Sequence, residues 1–302
     1  MKTDFVHGVI PPLLTPVDGE ERVEERGLRR MVEHVIAGGV HGILSLGSNG
    51  EFFGLDPEEQ ERAVAATVDQ VAGRVPVYAG IGAISTRECV RAARRAGRQG
   101  VQAITMLPPM FLTPNDEELY RHFRTVAEST DLPMLLYNNP DRMRANLSAN
   151  LVERLADVPN IVGAKDSSGD LVLTEEYIRR TRSKNFRVMA GRDVMILGTL
   201  AYGGAGCVAA TANIVPALVV EIYEKFLAGD LEGAREAQFR LAPLRMAFNL
   251  GSFPVVTKDA ANLLGLRVGE PILPNSRCTE PNMARLRKIL VGMGALKEGE
   301  TA

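Results

Sequence analysis

The sequence predicts an α/β protein: a closed (β/α)8 barrel over residues 1–229 and a C-terminal three-helix extension over residues 230–302. Three observations carry this expectation. Short apolar runs alternate with longer amphipathic stretches from the N-terminus to about residue 230. There are eight such runs, each followed by a helix-like stretch, which suits a closed barrel better than an open doubly wound sheet. The runs are apolar on both faces, as strands buried on both sides of a parallel sheet must be.

Taken in order, the first strand reads as 8–15 (GVIPPLLT) and is followed by a helix over 24–38. The second, 42–48 (GILSLGS), precedes a helix over 57–72, which Asp56-Pro57 opens with acids in its first turn. The third, 75–82 (VPVYAGIG), leads into a helix over 86–98. The fourth, 103–108 (AITMLP), leads into one over 116–129, with Asn115 before DEEL as its start signal. Strands five to eight fall at 133–138 (PMLLYN), 161–166 (IVGAKD), 186–191 (FRVMAG) and 204–210 (GAGCVAA). Three further helices, near 230–248, 254–264 and 281–293, are separated by Gly/Pro segments. Their apolar faces need a partner, so they are expected on the barrel rather than in a separate domain.

The chain has 302 residues, with 35 Lys+Arg against 37 Asp+Glu and a net charge of −2. That near-neutrality removes the electrostatic case for nucleic acid or an anionic membrane surface. No run is long and apolar enough to span a bilayer, and Met-Lys-Thr-Asp-Phe does not open a signal peptide, so the expected location is the cytoplasm. Cys89, Cys207 and Cys278 are odd in number and far apart, which fits reduced thiols. Only seven of the 35 basic residues are lysine, at 2, 165, 184, 225, 258, 288 and 297. In so arginine-rich a chain, each lysine raises the question of why it was not arginine.

Chemistry in such a barrel belongs at the C-terminal ends of the strands. The second strand ends in Gly47-Ser48-Asn49-Gly50-Glu51, a turn whose amides can converge on an anion, or simply an ordinary glycine turn. The sixth carries Lys165. A lysine in an apolar strand gives up hydration, which favours the neutral amine. A neutral amine attacks ketones to form a Schiff base, which arginine cannot do. The alternative is a strand-end lysine paired with Asp166 or reaching solvent. Lys258 competes for the role from beyond the eighth strand and ranks lower, and the lysines other than Lys165 read as solvated surface.

The fifth strand ends in Tyr137, either a proton carrier beside Lys165 or a packing residue. Arg142 follows and suits a substrate carboxylate, with Arg144 competing and a surface role as the alternative. His7, His34, His41 and His122 show no metal-ligand spacing, so neither a metal nor any other cofactor is expected.

These motifs resemble the dihydrodipicolinate synthase/N-acetylneuraminate lyase family of class I aldolases. The marks are GSNGE at 47–51, YNNP at 137–140, GAKD at 163–166 and GAGCVAATAN at 204–213, and the resemblance runs nearly the whole chain. It implies a TIM barrel with a C-terminal helical extension, usually a homotetramer built as a dimer of dimers, and an imine between a lysine and pyruvate or a related 2-keto acid. By motif, Lys165 matches the Schiff-base lysine and Tyr137 the proton-relaying tyrosine. Ser48 matches the first hydroxyl residue of GTTGE or GSTGE, and Asn49 stands where the second would be. Val208 matches an apolar residue near the keto acid, and Arg142 the arginine that holds a substrate carboxylate.

Two departures shape the expectation further. Phe111 stands where the family commonly has a tyrosine in the loop after strand four, and a phenyl ring passes no proton. The positions of the lysine-feedback site in many synthases read Phe53, Pro57, Ile84 and Met110 here. The expected activity is therefore that of a catabolic 2-keto-acid aldolase, of the 4-hydroxy-2-oxoglutarate or 2-keto-3-deoxy-sugar-acid type. The alternatives are a 4-hydroxy-tetrahydrodipicolinate synthase, a 5-dehydro-4-deoxyglucarate dehydratase using the same imine, and a barrel that binds a keto acid without turning it over.

Overall fold

In the computed structural model, which describes residues 3–298, the chain is a TIM barrel. The outer ends of the two segments read from the sequence, with the Met1-Lys2 start, lie outside the described residues. Among the described residues eight parallel strands run in the order β1-β8-β7-β6-β5-β4-β3-β2. They are Gly8–Val9 (β1), Ile43–Ser45 (β2), Val77–Ile81 (β3), Ala103–Met106 (β4), Met134–Asn138 (β5), Ile161–Asp166 (β6), Arg187–Ala190 (β7) and Gly206–Cys207 (β8).

Most strands are shorter than the sequence suggests, β1 and β8 most of all at two residues each, for reasons visible in the chain. In the first, Pro11 and Pro12 have no N–H to give a ladder. The ring nevertheless closes there. Leu44 N–H donates to the Pro11 carbonyl at 3.0 Å, Leu13 N–H donates to the Leu44 carbonyl at 2.8 Å, and Pro12 bridges Leu44 in parallel. The eighth stops after Cys207, and the chain then turns into a 3-10 segment at Ala210–Asn213. At the β1–β8 seam only glycine fits at position 206, where a Cβ would lie 2.1 Å from the Gly8 carbonyl oxygen.

Inside the ring, Ile10, Leu44, Tyr78, Ala103, Leu135, Val162, Met189 and Val208 form a filled core, and Val6 plugs its N-terminal end. The outer ring is built from Glu25–Ala37 (α1), Pro57–Val71 (α2), Thr86–Arg98 (α3), Asp116–Ala127 (α4), the short Pro140–Met143 (α5), Ala149–Leu155 (α6), Leu171–Thr181 (α7), Ile196–Ala201 (α8) and Pro216–Leu227 (α9). The start signals act as read: the Asp56 carboxylate accepts from the Glu58 and Glu59 amides, and Asn115 and Glu118 form a reciprocal capping box.

Leu231–Ala247 (α10), Val255–Leu263 (α11) and Glu280–Gly292 (α12) follow. Helix α10 packs along α9 and α12, and α11 against α12. Two polar ties fasten these helices to loops at the C-terminal ends of the strands. Gln238 of α10 donates to the Asp193 carbonyl and accepts from the Leu197 amide. Lys258 of α11 pairs with Glu51 at 2.6 Å, both about 1% exposed, and Glu51 also accepts from the Ile272 amide. Lys258 is thus no solvated surface lysine, and the reading of it as one is corrected. Burial lowers its pKa although Glu51 opposes the shift. Lys184 is likewise engaged, with Asp157 and the Glu153 carbonyl.

Candidate active site

Strands β5 and β6 pair in register so that Tyr137 stands opposite Lys165. Neighbours across a parallel ladder point to the same face, here the barrel interior, and the Lys165 Nζ sits 3.9 Å from the centre of the Tyr137 ring. Lys165 is only 3% exposed. Its sequence neighbour Asp166 points to the other face, where Asn138, Ser168 and Thr174 hydrogen-bond its carboxylate. The pairing of Lys165 with Asp166, open at the level of sequence, does not occur.

The Tyr137 hydroxyl is the hub of the site. Asn139 Nδ2 donates to it at 3.0 Å. Burial alone would raise the phenol's pKa. The Lys165 charge and hydrogen bonds with Ser48, Ser167 and Lys165 outweigh burial, so the phenol lies below its ordinary value. Ser48 reaches it from the 3-10 turn Ser48–Gly50 after β2. In that turn the Gly50 and Glu51 amides close onto the Gly47 and Ser48 carbonyls. The first N–H groups of such a turn, on Ser48 and Asn49, have no partner within it. Asn49 Oδ1 accepts from Thr257 Oγ1 at 3.3 Å, and no hydrogen bond from its amide nitrogen is seen among the described residues.

Asn49, Tyr137, Asn139, Lys165, Ser167 and Val208 line the inner part of a cavity of ≈ 440 Å³, and Arg142, Arg192, Arg245, Phe248 and Phe253 line its outer part. Arg192 is tied to Asp141 and to the Ser167 carbonyl. Arg245 faces Asp193 at 3.7 Å. The Arg142 guanidinium carbon lies over the Phe253 ring, 4.6 Å from its centre, and among the described residues Arg142 pairs with no carboxylate. Arg144 is exposed and outside the lining. The structure therefore brings Lys165, Tyr137, Ser48, Asn49, Arg142 and Val208 to one place. It keeps Phe111 away, 85% exposed on the loop after β4.

Sequence reading missed Ser167, Asn139 and Gly191. The first two had a signal: each lies two residues beyond a site residue, on the same face of an extended chain. Gly191 had none, because its role depends on a neighbouring strand. A Cβ there would sit 2.1 Å from Ser167 Oγ and 2.7 Å from the Asp166 carbonyl oxygen. Among the described residues, no group of three or more His, Cys, Asp or Glu side chains is placed to hold a metal ion, and no helix is long and apolar enough to cross a membrane.

Comparison with known proteins agrees with this geometry. The dihydrodipicolinate synthetase family model matches residues 5–291. A 4-hydroxy-tetrahydrodipicolinate synthase from Methanoculleus marisnigri is 40% identical over 289 residues, covering 95% of this chain and 99% of the relative. The dihydrodipicolinate synthase of Thermotoga maritima superposes with a TM-score of 0.93 at 30% identity, over 96% of this chain and 99% of that one. A prophage protein of the dihydrodipicolinic acid synthase family from E. coli K12, in complex with pyruvate, superposes with a TM-score of 0.92 at 30% identity, over 96% and 99%. A buried strand-end lysine beside a tyrosine, in this fold and with these relatives, leads to one conclusion: the chain belongs to the dihydrodipicolinate synthetase family and is a lyase of the class I aldolase type.

Proposed function

We propose that Lys165 forms an imine with pyruvate or a related 2-keto acid, and that the protein is a catabolic 2-keto-acid aldolase of the 4-hydroxy-2-oxoglutarate or 2-keto-3-deoxy-sugar-acid type. The observation that carries the reading is the buried Lys165 amine, 3.9 Å from the Tyr137 ring centre and at the inner end of an open cavity. The keto-acid carboxylate rests on the Ser48–Asn49 turn. The amine nitrogen attacks the ketone carbon, the carbonyl π bond opens, and a proton moves to the oxygen. Tyr137 then protonates the carbinolamine hydroxyl, which leaves as water, and the protonated imine remains. The Tyr137 phenolate takes the proton of the C4 hydroxyl, the C4–O bond becomes a carbonyl, the electron pair of the breaking C3–C4 bond passes into the imine to give an enamine, and the aldehyde departs. Condensation is the reverse. Val208 packs against the keto acid, and Arg142 holds a carboxylate on the second substrate.

A second reading, the synthesis of 4-hydroxy-tetrahydrodipicolinate, is favoured by the names of the relatives and by the Arg142 fork, which pairs with no carboxylate among the described residues. Phe111 favours the first, since it supplies no hydroxyl. Borohydride trapping with pyruvate, followed by peptide mapping, tests the shared step, and an unmodified Lys165 overturns both readings. Pyruvate release from a panel of 4-hydroxy- and 3-deoxy-2-keto acids, set against formation of 4-hydroxy-tetrahydrodipicolinate, decides between them. We also propose a homo-oligomer, supported by exposed apolar residues on three adjacent loops, Phe53, Ile84, Phe111 and Leu112.

A further inference from the structure

Asn139 occupies the N-cap position of α5, with φ −148° and ψ 73°, yet its side chain makes no capping hydrogen bond. Asparagine at an N-cap ordinarily spends its side chain on the first helical amides. Here that side chain is 8% exposed, lines the cavity and donates from Nδ2 to the Tyr137 hydroxyl. Its predecessor Asn138 is committed elsewhere, to Asp166, Asn146 and the Leu147 amide.

The donor and acceptor inventory makes this bond directional. A phenol offers one proton and two lone-pair sites, and an amide NH2 can only donate. In this arrangement Asn139 fills one lone pair and bars the phenol proton from turning that way. The proton is left to the hydroxyls of Ser48 and Ser167, which with the Lys165 amino group are the other hydrogen-bonding partners of the phenol. The geometry points to Asn139 as a positioning residue that aims the Tyr137 proton into the cavity and steadies the phenolate when the proton leaves. The same chain supplies every one of these partners. The inference rests on the proposed imine at Lys165 for its consequence in turnover, but not for its consequence in the tyrosine itself.

The test uses Asn139→Asp, which keeps the shape and replaces the donor by an acceptor, with Asn139→Leu as a second variant. Both are expected to slow borohydride-trapped imine formation at saturating pyruvate by about tenfold or more, the scale of a lost hydrogen bond to a developing charge. Half-saturating pyruvate should stay within about threefold. In a Tyr137→Phe background the same changes should cost less than about twofold, because their partner is gone. Independently of imine chemistry, the tyrosinate titration of Tyr137, read as the absorbance difference against Tyr137→Phe, should move to higher pH in Asn139→Asp. An unshifted titration, an unchanged trapping rate, or a full-sized loss in the Tyr137→Phe background overturns the proposal. Absence of trapping in the unsubstituted protein overturns the imine reading instead, and the titration still decides the role of Asn139. Should Asn139→Leu fail to fold, the isosteric Asn139→Asp decides the question alone.

Discussion

At the scale of single residues, the site depends on side chains that have no room or no water to spare. Gly191 leaves the space that Ser167 fills on the Lys165 side of β6. Gly191→Ala is expected to displace Ser167 and the end of the strand, destabilising the protein by roughly 1–3 kcal/mol and cutting turnover more than binding. Chemical denaturation and steady-state kinetics report the two effects. The Glu51–Lys258 pair is a different case, two fully buried charges holding a loop to a helix. Removing one partner strands the other in a low-dielectric interior. Lys258→Met is expected to cost about 3–5 kcal/mol, whereas Glu51→Gln/Lys258→Met should cost markedly less. Equal losses in the single and double variants would show that the buried charge is not the cause.

At the scale of elements, α4 carries a titrating group in its packed face. His122 is 7% exposed, and burial pushes its imidazole down from 6.5 to about 4. Nδ1 shares a 2.8 Å hydrogen bond with Thr86 Oγ1, while Nε2 has no partner among the described residues. The folded state therefore holds the neutral ring longer than the unfolded state does. Its contribution is complete above pH 6.5 and is lost as the pH falls from 6.5 toward 4, by up to about 3 kcal/mol. Urea midpoints should drop across that window, and His122→Gln should flatten the drop. His34 and His7 are also lowered, chiefly by burial, so a smaller slope should remain.

At the scale of the whole molecule, the barrel and its extension share the site. Arg245, Phe248 and Phe253 line the cavity from α10 and the segment leading into α11, and Thr257 holds Asn49. On the rim, Phe111 is 85% exposed and sits at φ +71°, a conformation that costs a bulky residue free energy unless something else rewards it. If the protein forms the proposed homo-oligomer through this rim, Phe111→Asp is expected to shift it toward monomer in size-exclusion chromatography with light scattering, leaving the far-UV spectrum unchanged. An unaltered oligomeric mass would place the interface elsewhere, and a monomeric mass for the unsubstituted protein would overturn the proposed oligomer.

The alternation of strands and helices, the helix starts at Asp56 and Asn115, and a lysine set within an apolar strand were legible in the sequence, because each depends on residues close together in the chain. Apolar runs, Asp56-Pro57 and Asn115-Asp116-Glu117-Glu118 carry their own geometry, and Lys165 declared itself by interrupting an apolar strand. What was not legible depended on distant partners. The span of β1 pairing was decided by Pro11 and Pro12 meeting Leu44 and by Gly8 meeting Gly206. Glu51 holds Lys258 in a buried pair while Tyr137 stands against Lys165, and both contacts join residues far apart in the chain or on different strands. Composition and periodicity determine which faces are buried. Only closure of the ring determines which polar groups are buried together, and so which lysine is left to face a cavity.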